Sequence, residues 1–303
     1  MKTIEYSAFS GCSGLQALDL SGNTSLKEIG SSAFSECSSL QALDLSRNSS
    51  LIKIGSHAFF ACNNLKNVDL SGCTALQTID EGGFNLCSAL QEVDLSNCSQ
   101  LTSIGDYAFS CIVIGDYPFP SKNSILKTVR LTGCSALQTI GDDAFYGCSA
   151  LSDFDFTQLT ALSSIGAGAF KSTALAGDIT FSSSINQFGG SAFSNCKQIT
   201  SVNFGNSSLT TVSRWAFANC YMLQKVDFSG CSSLNSLSNN AFESCPSLKE
   251  IVIDNGFYKS QDGVLYIADM ATLMFYPAGK EDASFAIPNS VVTIQSGAFN
   301  FCI

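Results

Sequence analysis

The chain has 303 residues, 45% hydrophobic and 13% charged, where about a quarter charged is usual for a soluble domain. Fifteen basic against 25 acidic residues give a formal net charge of −10. This balance excludes nucleic acid as a partner, because binding a phosphate backbone needs concentrated lysine and arginine. No apolar run reaches the roughly 18 residues of a membrane span, and Met1–Tyr6 opens the chain without the apolar core of a secretory signal.

Internal repetition organises the rest. An Ala-Phe or Gly-Phe pair recurs at Phe9, Phe34, Phe59, Phe84, Phe109, Phe145, Phe170, Phe193, Phe217, Phe242 and Phe299, mostly at intervals of 25 residues. One unit reads Leu15-x-x-Leu18-x-Leu20-x-x-Asn23-x-x-Leu26-x-x-Ile29-Gly30-x-x-Ala33-Phe34-x-x-Cys37-x-x-Leu40. Its first half alternates with period two. Leu18 and Leu20 point inward, and Ala17, Asp19 and Ser21 point outward, so a short strand with one buried face is predicted. Stacked turn on turn, such strands make a parallel sheet. Asn23 and Asn48 follow the strand, in a slot later taken by Cys73, Cys98, Cys134 and Cys231; a side chain there can reach backbone groups that the bend leaves open. In the second half, Phe34 and Cys37 are three apart and share a face, which predicts a short helical turn. Phenylalanine stacked on phenylalanine then forms a buried spine. No unit can bury its apolar face alone, so stability comes from neighbours.

These residues resemble known patterns. The strand half resembles leucine-rich repeats in general. The second half, as in Ile104-Gly105-Asp106-Tyr107-Ala108-Phe109 and Ile140-Gly141-Asp142-Asp143-Ala144-Phe145-Tyr146-Gly147-Cys148, is similar to the BspA-like bacterial leucine-rich repeats. The resemblance spans nearly the whole chain. It departs in the strand half, where Leu-Asp-Leu-Ser stands in place of the family's frequent Ile-Pro strand end. The implied fold class is an α/β repeat solenoid: a right-handed leucine-rich-repeat superhelix, β-rich, with a parallel sheet on the concave face, short helical turns on the convex side and a β-hairpin insertion. The resemblance also implies a surface or secreted bacterial protein of adhesin type.

A single solenoid over 1–303 is expected, cut mid-repeat at both ends. A surface bulge is expected over 110–125, where Ile114-Gly115-Asp116-Tyr117 echoes Ile104–Tyr107 and Pro118 and Pro120 stop regular structure. A β-hairpin is expected over about 257–285, from two apolar runs around Asp269–Thr272.

Catalytic chemistry finds little purchase. His57 is the single histidine and fills a variable slot that reads as solvated surface. No second histidine exists for a metal or a triad, no phosphate-binding glycine loop opens a helix, and neither cofactor nor metal is expected. The 14 cysteines form no Cys-x-x-Cys pair. Ten follow the phenylalanine and four fill the asparagine slot, so they read as buried packing, with a disulfide framework as the rival.

Two sets of residues are candidate binding sites. The central outward strand slot holds Asp19, Asp44, Asp69, Asp94, Arg130 and Asp155. This is either an acidic docking stripe or a run of aspartates that suit a strand end and splay into water. Tyr107 and Tyr117 lie beside the phenylalanine spine and could anchor a partner on the convex side, whereas Trp215 reads as half-buried packing. The expected function is a non-catalytic protein-binding module, an extracellular or cell-surface adhesin whose partner is a host extracellular or bacterial surface protein. The alternatives are an intracellular scaffold or sensor with the same fold, and an enzyme acting on glycans through Asp262 and Asp269 at the hairpin.

Overall fold

The computed structural model describes residues 1–111 and 124–302. The chain winds as a parallel β-solenoid, and each turn contributes to two separate ladders. One ladder is built from two-residue strands ending in the repeated isoleucine, or in Phe188 in the last: Thr3–Ile4, Glu28–Ile29, Lys53–Ile54, Thr78–Ile79, Ser103–Ile104, Thr139–Ile140, Ser164–Ile165 and Gln187–Phe188, all parallel. The other contains the Leu-Asp-Leu segments. Ala42–Asp44, Asn67–Asp69, Glu92–Asp94 and Thr128–Arg130 form one four-stranded sheet, and Ala176–Thr180, Gln198–Asn203, Lys225–Asp227 and Glu250–Val252 form a second. Along these strands the middle residue is buried and its neighbours face outward, as in Leu43, Val68 and Val93.

The helical turns expected on the convex side are absent. Among the described residues the sole helical element is a single 3-10 turn, Phe156–Gln158. The hydrogen bonds give the reason. In an α-helix every amide bonds back to the carbonyl four residues earlier. Here alternate amides bond to the next turn of the solenoid: Ser32 N to Ser56 O, Phe34 N to Ala58 O and Glu36 N to Phe60 O, at 2.7–2.9 Å. The amides between them close tight local turns, Ala33 N to Gly30 O, Ser35 N to Ser32 O and Cys37 N to Phe34 O. Left-handed backbone at Ser32 (φ 54°) and Glu36 (φ 60°) creates the alternation. The three-residue spacing of Phe34 and Cys37 therefore reflects successive tight turns. The α/β class is corrected to a parallel stacked-turn β-solenoid interrupted by one short antiparallel segment.

Where glycine follows the isoleucine, the neighbouring turn approaches closely. A Cβ on Gly55 would lie 2.7 Å from Ser31 N, and one on Gly105 would lie 2.7 Å from Asp80 C. Inside, the phenylalanine rings stack from turn to turn, with centroids 4.9–5.9 Å apart from Phe9 to Phe242.

The spine steps aside after Phe242. Tyr258–Gln261, Val264–Ile267 and Thr272–Phe275 form an antiparallel meander, and Thr272–Phe275 pairs in parallel with Thr293–Ile294. The meander divides the core. Tyr258, Leu265, Met274 and Phe275 join the main core, while Val264, Tyr266, Leu273 and Tyr276 form a second cluster with Ala298. Tyr276 takes over the stacking on Phe299 at 5.0 Å, and its amide takes the Ala298 carbonyl. Among the described residues the amides of Asn240, Phe242 and Ser244, whose equivalents one turn earlier bond to the turn above, make no backbone hydrogen bond. Beside them lies a cavity of about 60 Å³ lined by Phe242, Ser244, Cys245, Phe275 and Phe301.

Candidate functional site

The acidic slot sits where each strand of the second ladder ends. Asp44, Asp69 and Asp94 pair in register, and Arg130 faces Asp94 on the next strand. Asp19 and Asp155 flank this run but lie outside assigned strands. Each aspartate turns one carboxylate oxygen onto its own chain. The amides of Ser21, Ser46, Ser71 and Ser96 donate to Asp19, Asp44, Asp69 and Asp94 at 2.8–2.9 Å, and Thr157 N donates to Asp155 at 2.9 Å. Asn203 makes the same turn with Gly205 N. The slot thus has a structural reason: a short acceptor side chain closes the bend after the strand.

Electrostatics agrees. The hydroxyl and then the amide of Ser46 hold the Asp44 carboxyl below its ordinary range, against a smaller opposing repulsion from Asp19. The Ser21 hydrogen bonds lower Asp19 in the same way, with Arg47 assisting. Stacked carboxylates are therefore tolerated because each is engaged locally. Asp19 and Asp44 remain exposed and Asp69 and Asp94 partly so, and the run ends on a cation: Arg130 Nε lies 2.5 Å from Glu92 Oε1 and 4.0 Å from Asp94 Oδ2.

The candidate tyrosines fare differently. Tyr107 is half-buried at a left-handed corner (φ 55°). Burial, then the carboxylates of Asp143, Asp106 and Asp142, push its phenol above the ordinary value, and Asp143 accepts its hydrogen bond. It is a packed residue of an acidic corner. Tyr117 and most of the expected bulge lie outside the described residues. Trp215, read from sequence as half-buried packing, is 45% exposed, and Tyr221 and Met222 are exposed beyond it. For Tyr221 and Met222 the signal in the sequence was the replacement of Ser or Asn by bulky residues in slots that most turns fill with small ones, whereas the Trp215 slot also takes His57 and Tyr107.

All 14 cysteines are free, and 12 are buried. Their thiols donate to carbonyls of the preceding turn: Cys37 to Phe9 O, Cys62 to Phe34 O and Cys87 to Phe59 O at 3.1–3.2 Å, and Cys73 to Leu45 O at 3.2 Å. Asn48 serves the same purpose through Nδ2, donating to Leu20 O and Asn23 O. Among the described residues no group of three or more His, Cys, Asp or Glu is placed to hold a metal ion. Asp262 and Asp269 occupy turns at opposite ends of the strand Val264–Ile267. Four extended residues span roughly 13 Å, beyond the separation of up to about 9.5 Å used by carboxylate pairs in glycoside hydrolysis.

The repeat signature decides the family. A BspA type leucine-rich repeat region, in six copies, matches residues 2–138 and 138–270. The chain belongs to the BspA-type leucine-rich-repeat family. The BspA-type solenoid is similar in fold to a leucine-rich cell surface protein from Faecalibacterium prausnitzii, with 24% identity over 78% of this chain and 56% of that one, at a TM-score of 0.55. Other similar structures are the pneumococcal vaccine antigen PcpA (22% identity, 91% of this chain and 48% of that one, TM-score 0.45) and a leucine-rich repeat protein from Bacteroides ovatus (20%, 83% and 82%, 0.38). The chain spans about half the length of the first two. No curated protein matches it in sequence.

Proposed function

We propose that this BspA-type solenoid is a non-catalytic protein-binding module of a surface or secreted bacterial protein, acting as an adhesin toward a host extracellular or bacterial surface protein. The observation that carries the reading is the in-register presentation of one outward slot, Asp44, Asp69, Asp94 and Arg130, on an open sheet face. A stack that repeats the same side chain at each rung offers an extended, nearly flat surface suited to a macromolecule. Family membership and the fold shared with a named cell-surface protein support the location. In this reading the aspartates of this slot meet a basic partner.

Arrayed host and bacterial surface proteins provide the test. Binding through the acidic face weakens as salt screens exposed charges to a reach of about 8 Å, and weakens again in an Asp44→Asn, Asp69→Asn double variant. Binding that ignores both changes removes the sheet face as the docking surface, and no binding across the array removes the adhesin reading. A second reading, an intracellular scaffold or sensor of the same fold, draws on the 14 free thiols, which suit a reducing compartment. A secretion or lipoprotein segment upstream in the full-length gene excludes it.

A further inference from the structure

Charge is unevenly distributed along this acidic chain. Residues 179–226 contain no aspartate or glutamate, yet hold Lys197, Arg214 and Lys225. Lys225 lies on the sheet, where Asp227 and Glu250 approach it at 3.8 and 3.4 Å. Lys197 and Arg214 make no ion pair among the described residues. Both belong to the turn side of the solenoid, where the same two repeats carry their bulkiest exposed groups: Trp215, Tyr221 and Met222, each 45–50% exposed.

The scaffold does not call for these side chains. The Trp215 slot is variable, holding Ser7, Ser32, His57, Gly82, Tyr107 or Ser191 in other turns, and the Tyr221-Met222 slots hold Ser38-Ser39, Asn63-Asn64 or Ser149-Ala150. Trp215 sits at φ 58°, a left-handed corner unfavourable to a bulky residue. Its indole is nonetheless fixed, with Nε1 donating to Glu243 Oε2 at 2.9 Å. That bond engages the Glu243 carboxylate. Lys197 Nζ lies 5.5 Å from the centre of the Tyr221 ring, which holds the cation against the aromatic face. Exposed Trp, Tyr, Met and Arg make up the residue set enriched where protein partners are anchored.

We propose that Lys197, Arg214, Trp215, Tyr221 and Met222 form a docking surface for an acidic segment of a protein partner, whose apolar residues pack on the aromatic rings while its carboxylates meet Lys197 and Arg214. This rests on the protein-binding reading and assigns it a second face, opposite in charge to the aspartate ladder.

A random peptide library displayed on phage and selected against the intact chain tests it. Trp215 is the sole tryptophan, so its emission reports this surface alone. The expected result is enrichment of peptides rich in Asp and Glu around an aromatic or aliphatic residue, which shift Trp215 emission to the blue. Labelled copies should lose roughly thirtyfold in affinity on Lys197→Glu with Arg214→Glu, and similarly on Trp215→Ser; serine is native to this slot in other turns, so folding is preserved. Selected peptides that lack acidic residues, bind the charge-reversed variant equally or leave the emission unchanged overturn the proposal. So does stronger binding of heparin, which would assign the patch to polyanions. Protein binding through the aspartate face with Trp215 unperturbed rejects this surface alone, whereas selection of neither peptide nor protein rejects the protein-binding reading as well.

Discussion

The ring of Phe84 lies 5.0 Å from that of Phe59, with their planes 2° apart, and Phe109 stacks on its other side at 5.4 Å. Phe84 is fully buried, and its amide bonds upward to Ala108 O at 2.7 Å. Phe84→Ala removes a ring from the middle of the spine and weakens both adjoining interfaces. Such a deletion costs about 3–5 kcal/mol, read as a lowered thermal midpoint. An unchanged midpoint would place this side chain outside the core.

The aspartate turns make stability depend on pH at the acid end. Asp44 titrates below its ordinary value because the charged form accepts the hydroxyl and amide of Ser46. A depressed folded-state value contributes stability that is complete above the unfolded value of about 3.9 and is lost as pH falls through the folded value. The contribution is small at so exposed a site. Asp44→Asn keeps the turn, as Asn203 does naturally, and should flatten this acid slope while leaving neutral stability nearly unchanged. Asp44→Ala should cost about 0.5–1.5 kcal/mol at neutral pH. Equal stability of the Ala and Asn variants would deny the turn its role.

The period of 25, the buried spine and the acidic slot were legible in the sequence because each depends on one residue recurring at one position. The ladder of isoleucine-ended strands was not. Strands of two residues, such as Glu28–Ile29, are too short to show alternation. The turns were read as helical because a spacing of three satisfies both a helix and two successive tight turns, and only the left-handed angles at Ser32 and Glu36 separate them. The Asp–Ser spacing of two encoded the strand-end bend, so half of the acidic stripe's explanation is local. Trp215 is half-buried, as its place beside the spine suggested, but the sequence did not reveal that its indole bonds to Glu243 of the next turn.

Burial raises the thiols: Cys37 and Cys196 to about 11, and Cys73 and Cys134 to about 12. The unfolded chain releases these protons near pH 8.5, so the folded state binds more protons above that point. Stability should therefore fall as pH rises from about 8.5 toward 11–12. A thiol reagent should reach Cys12 and Cys302, the two exposed residues, in the native protein, and all 14 after unfolding without reductant. A clearly smaller count after unfolding would indicate disulfides.

The interrupted ladder predicts a local weakness. Phe84 N–H is bonded to the next turn, but Phe242 N–H makes no backbone hydrogen bond, and Phe242 lines the cavity beside Phe275. Amide exchange at Asn240, Phe242 and Ser244 should be faster than at the equivalent Trp215, Phe217 and Asn219, because unpaired amides need no opening of a rung. Equal protection across these two turns would mean that the ladder continues unbroken past Phe242.

The central claim is that this solenoid works by holding protein partners and does not turn over a substrate. Surface plasmon resonance of the intact chain across immobilised host extracellular and bacterial surface proteins tests it most directly, repeated with an Asp262→Asn, Asp269→Asn variant. The account predicts saturable, reversible binding to at least one protein, with the same affinity in wild type and variant. Absence of saturable binding across the array, or cleavage of a glycan by the wild type that the double variant abolishes, would contradict it.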